Sequence, residues 1–76
     1  MEVFKQIRIQ VPELGQKIKK AREQDPRSVQ LLATLAKISI SYWYQIEQEK
    51  RDSISEETLR SIEKVLGVDF GVNLPD

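Results

Sequence analysis

The sequence predicts an all-α fold, a small bundle of four to five helices with room for short strands at its N- and C-terminal ends. Three observations predict it. Apolar residues recur at three- and four-residue spacing through most of residues 14–66. Serines, an Asp-Pro pair and a glycine stand where such segments need caps and breaks. The two central segments are joined only by Lys37-Ile38-Ser39, so they must cross steeply, and Ala33 is small enough to let them touch. At 76 residues the chain is one domain, near the lower limit for an independent core. Residues 1–12 read as an extension or short strand, 13–68 as the helical domain and 69–76 as a tail.

In residues 3–11, Ile7, Ile9 and Val11 alternate with polar residues, the period of a strand. Pro12 stops it and suits the start of a helix, where its missing N–H has no partner. The first helix is predicted from about Glu13 to Gln24, with Leu14, Ile18 and Ala21 inward and Glu13 favourable to the helix dipole. Asp25-Pro26 ends it. The second helix covers about Val29 to Ala36 behind Ser28 as N-cap, with Leu32, Ala33 and Ala36 on its inner face. The third covers about Ile40 to Gln48 behind Ser39, with Trp43 and Ile46 inward. The fourth is capped by Ser53 or Ser55, with Ser53-x-x-Glu56 forming a capping box. It buries Leu59, Ile62, Val65 and Leu66 and stops at Gly67. In the tail, Val68, Phe70, Val72 and Leu74 alternate, which suggests a strand paired with residues 4–11 or across a dimer.

Composition removes several classes of function. The chain has no His and no Cys, so it lacks the commonest general base, the commonest metal ligand and any disulfide or thiolate site. No Gly-rich phosphate loop is present, and Glu56 and Glu57, being adjacent, do not face one cleft. The expectation is a non-enzymatic protein with no catalytic residues, cofactor, metal or small-molecule substrate. No run of 18 apolar residues and no leader peptide is visible, so a cytoplasmic protein without membrane contact is expected. Net charge is zero but unevenly spread. Residues 1–51 carry ten Lys and Arg against six Asp and Glu, a net +4; residues 52–76 carry two against six, a net −4. The helix-turn-helix pattern lies in the basic part, where the field favours a polyanion.

Residues 28–51 resemble the phage repressor and Cro-type helix-turn-helix family, the XRE family, on Leu32-Ala33, Ile38-Ser39, Ser41-Tyr42, Gln45-Ile46-Glu47 and Lys50-Arg51. The resemblance extends over about residues 14–70 through Leu14-Gly15, Ile18, Arg22 and Leu66-Gly67-Val68. It implies a lambda-repressor-like domain that regulates transcription by placing the third helix in the DNA major groove, as a homodimer on two half-sites. It also implies that Arg22 and Glu47 form a buried ion pair fixing the first helix to the motif. Ile40, Ser41, Tyr44 and Gln45 project from the face opposite Trp43 and Ile46, and the resemblance makes them the base-contacting positions. Gln45 can pair with adenine N6 and N7, and Ile40 can pack on a thymine methyl. Phosphate contacts are expected from Arg27, Ser28, Lys37, Lys50 and Arg51.

Three positions depart from the family. Its turn glycine is Lys37 here, the glycine after its third helix is Glu49, and the glutamine that opens its second helix is Val29. The zero net charge, Val29 and Glu49 favour an alternative reading: a protein-interaction module that keeps the fold without tight DNA binding.

Overall fold

The computed structural model describes residues 1–5 and 8–74. Along the chain run β1 (Glu2–Phe4), β2 (Arg8–Gln10), α1 (Leu14–Glu23), α2 (Val29–Leu35), α3 (Ile40–Glu47), β3 (Ser53–Ser55) and α4 (Glu56–Leu66). The fold is therefore not all-α. Four helices pack with a three-stranded mixed sheet, and half of the structure is helical. The strand order is β2-β1-β3, with β1 antiparallel to β2 and parallel to β3.

The error in the all-α expectation has a physical source. Residues 3–11 are not one strand but two, β1 and β2, folded on each other so that Val3 faces Ile9. The Ile7 assigned to that strand lies outside the described residues. The partner on the other edge of β1 is Ser53-Ile54-Ser55, which pairs Val3 with Ile54. A three-residue strand has a single inward position, too little for a period of two to register. Its serines also mimic helix caps. Ser55 alone caps α4, accepting from the Thr58 N–H at 3.2 Å, while Ser53 belongs to the strand.

The tail does not pair with the N-terminal strands, and no strand or fifth helix forms in residues 68–74. Instead α4 fastens it. The buried carboxylate of Glu63 accepts the Phe70 N–H at 2.8 Å, and Arg60 donates to the Val72 carbonyl at 2.6 Å. Val72 sinks into the core at 4% exposure. Pro75 lies outside the described residues.

The helices start and stop near the expected places. Ser28 and Ser39 accept the Leu31 and Tyr42 N–H groups as N-caps. Gly67 ends α4 in the left-handed region at φ 69°. α1 begins one residue late, because Glu13 is itself left-handed, at φ 59°, and makes no side-chain cap.

Trp43 sits fully buried with Leu14, Ile18, Leu32, Ile46, Leu59 and Ile62, while Val3 and Ile54 close the core from the sheet. α3 is held between α1 and α2, and α4 spans α2 and the sheet. One face of α3 is thus anchored from both sides and the other is left open.

Candidate nucleic-acid interface

The open face of α3 is set by helical spacing. Burying Trp43 and Ile46 turns Ile40, Ser41 and Tyr44 to solvent, with Gln45 half-exposed beside them. Ile40 and Tyr44 are 38% and 37% exposed, less than Leu31 and Leu35 of α2 at 44% and 49%. Lys37 and Lys50 flank the two ends of α3; both are exposed, and neither side chain has a protein partner among the described residues.

Behind this face, Glu47 is the hub. It is 6% exposed, and its two oxygens take Arg22 Nε at 2.6 Å and Arg22 Nη2 at 3.0 Å, a bidentate clamp. Trp43 Nε1 donates to the same carboxylate at 2.7 Å. The clamp, chiefly its side-chain hydrogen bond to Glu47, raises the Arg22 guanidinium above its ordinary pKa. One buried anion therefore satisfies both the indole of the core and the cation of α1 and fixes the roll of α3 about its axis. The rim of this clamp touches the open face, where the Arg22 guanidinium carbon lies 5.8 Å from the Tyr44 ring centroid.

The end of α3 is joined to α1 at two further points that spacing rules do not reveal. A Cβ on Gly15 would come within 2.7 Å of the Ile46 carbonyl and the Glu49 side chain, so only glycine permits this approach. Glu49 then reaches back. Its Oε2 accepts the Gly15 N–H at 3.2 Å, and its Oε1 lies 2.9 Å from the Met1 ammonium. The carboxylate thus supplies the start of α1 with the acceptor that Glu13 does not. The only sequence signal was the pairing of a small residue in α1 with an acidic one after α3, which becomes legible once the two helices are known to touch.

The remaining sites divide. Arg27 is bound at both ends to protein: its Nε and Nη2 donate to Asp25 at 3.0 and 2.7 Å, and Nη2 also caps the Val65 carbonyl of α4 at 2.7 Å. The Arg27 hydrogen bonds hold the Asp25 carboxyl down at about 2. Ser28 is exposed but occupied as a cap. Arg51 does not extend freely into solvent. It donates from Nε to Gln45 Oε1 at 2.9 Å and lies over the Tyr42 ring at 4.8 Å. No spacing rule pairs Gln45 with Arg51, because the helix has ended between them and a left-handed residue redirects the chain.

Comparison of the chain with protein-family models, curated proteins and solved structures finds no match. Among the described residues, no acidic cluster could hold a metal ion, and no helix is long and apolar enough to cross a membrane. What the site offers a partner is one convex helix face with polar, aromatic and aliphatic side chains and cations at either end.

Proposed function

We propose that this protein is a sequence-specific DNA-binding regulator of the repressor and Cro type, working in the cytoplasm as a homodimer. α3 enters the major groove, where Ile40, Ser41 and Tyr44 meet base edges, with Gln45 beside them on the same face. Lys37 and Lys50 hold the phosphates on either side. The observation that carries this reading is the pairing of an anchored inner face with an unoccupied outer one: α3 is clamped by Glu47 and Trp43, while its outer residues are exposed and flanked by two unpaired lysines. A helix held this rigidly loses little freedom on docking. One α3 spans too few base pairs for selectivity, which calls for two copies about one helical turn of DNA apart.

The test is selection of bound duplexes from a random pool, followed by salt titration. A palindromic site should emerge. Gln45→Ala should alter preference at one base position by about 1–3 kcal/mol. Lys50→Ala should weaken all duplexes alike and lower the salt slope by about one unit per half-site. Absence of salt-dependent binding to any duplex would leave the protein-interaction module. That reading is favoured by the net charge of zero and by the engagement of Arg27 with Asp25 and Val65.

A further inference from the structure

The contact between Arg51 and Gln45 bears on which base the open face selects. The inference rests on the DNA-binding reading above. A guanidinium carries five N–H donors and no acceptor. Arg51 uses Nε on Gln45 Oε1 at 2.9 Å, and its plane is steadied by the Tyr42 ring at 4.8 Å. Its Nη1 and Nη2 donors have no protein partner among the described residues. Because Arg can only donate, Gln45 must turn its carbonyl oxygen toward it and its amide nitrogen away. That nitrogen lies 3.5 Å from Ser41 Oγ, too far to be held firmly.

This arrangement changes what Gln45 can read. A glutamine that recognises adenine needs both ends of its amide, accepting from N6 and donating to N7. Here the accepting end is occupied by a cation, whose field also repels an approaching N6 donor. The donors that remain, on Arg51 Nη1 and Nη2 and on the Gln45 amide, outnumber the one lone pair left on Gln45 Oε1. The one purine edge that offers acceptors only is guanine, through N7 and O6.

The geometry points to Arg51 as a guanine-reading residue, aimed by Gln45 and Tyr42, with Gln45 a positioning residue instead of an adenine reader. The two-point support fixes the orientation of the fork, and its position beside Gln45 on the open face of α3 sets it against the base edges, where N7 and O6 accept a bidentate pair.

The experiment uses duplexes of the selected site with guanine, adenine or 7-deazaguanine at the position concerned, titrated with the parent protein, Arg51→Lys, Arg51→Ala and Gln45→Ala. Melting temperatures are checked to match. The parent should prefer guanine to adenine by about 5- to 150-fold and lose most of that preference on 7-deazaguanine, which lacks the N7 acceptor. Arg51→Ala should lose the preference, and Arg51→Lys, which can donate to O6 and N7 but lacks the fork that Gln45 aims, should reduce it while keeping the salt dependence. Gln45→Ala should weaken the same preference, and adding it to Arg51→Ala should cost nothing more. In the free protein, the Arg51 Nε–H resonance should be protected from exchange and lose that protection in Gln45→Ala. Three results overturn the inference while leaving DNA binding intact. They are retained guanine preference in Arg51→Ala, an adenine position lost in Gln45→Ala, and an unprotected Arg51 Nε–H in the parent. A parent that shows no salt-dependent duplex binding overturns the DNA reading and this inference together.

Discussion

The ends of α2 and α3 share one backbone conformation. Each closes with a left-handed residue, Lys37 at φ 63° and Glu49 at φ 53°. Each folds the following amide back, Ile38 N–H to the Ala33 carbonyl at 3.0 Å and Lys50 N–H to the Gln45 carbonyl at 2.9 Å. Glycine is the usual residue at such a position, and neither end has one. At the end of α3 the departure has a visible return, since Glu49 supplies an acceptor to the start of α1 that glycine could not. At the end of α2 the folded chain shows no return, because the Lys37 side chain is exposed and unpaired among the described residues. A strained residue whose side chain does nothing within the protein fits a residue kept for what lies outside it.

The contrast can be broken by substitution, most forcefully at the hub behind α3. Glu47→Ala removes the acceptor of Trp43 Nε1 and the partner of Arg22. Breaking one partner of a buried pair costs about 3–5 kcal/mol, and the lower figure applies here because the Arg22 side chain is 21% exposed and can turn to water. Chemical denaturation should show a loss of about 3 kcal/mol, with Lys19→Ala as an unchanged control. If the two variants unfold at the same denaturant concentration, α3 is not fixed by that clamp.

Glu49→Gly sharpens the comparison. Relief of the left-handed strain gains about 1 kcal/mol, while the cap on Gly15 and the charge beside Met1 are lost, so a net loss of about 1 kcal/mol is expected. Lys37→Gly, with the same backbone and no side-chain contact to lose, should instead stabilise by up to about 1 kcal/mol and weaken DNA binding. Equal shifts of one sign in the two glycine variants would show that the two ends do not differ.

The smallest effect belongs to the junction between α1 and α2. The Asp25 carboxyl titrates at about 2 in the folded protein, below its ordinary 3.8, so its ionised form favours folding above about pH 4. That contribution is lost as the pH falls through 2. The partner Arg27 is exposed and can turn to water, so Asp25→Asn should lower the melting temperature only slightly at neutral pH, and the gap should close as acid is added. A gap undiminished at pH 2 would mean that the Arg27 clasp does not act through the Asp25 charge.

The parts of the fold legible in the sequence were those carried by repetition. Trp43 and Ile46, or Leu59 and Ile62, each repeat a spacing, and Ser28, Ser39 and Gly67 mark ends by local chemistry. The sheet was not legible as a sheet, because each strand has three residues and β3 presents only Ile54 to the core. The tail misled for a related reason: its alternation is real, yet the polar groups of Arg60 and Glu63 take its backbone hydrogen bonds before any strand can. Within the site, residues that share a helix face were placed by spacing. Glu49 and Arg51 lie past a helix end, where direction depends on a single left-handed residue, and no periodicity reaches them.

The pairing of Val3 with Ile54 has a bearing on the order in which the molecule forms. Neighbouring helices such as α2 and α3 are joined by a few residues and can meet within a short chain. β1 gains its parallel neighbour only after about fifty intervening residues have been drawn into a closed loop, a step opposed by chain entropy. On a ribosome β1 emerges well before β3, so β1 can pair with β2 early but waits for its parallel partner. Until then the inner surface of Val3 and the core edge at Ile54 stay uncovered, and that interval is when the young chain is most open to association with its neighbours.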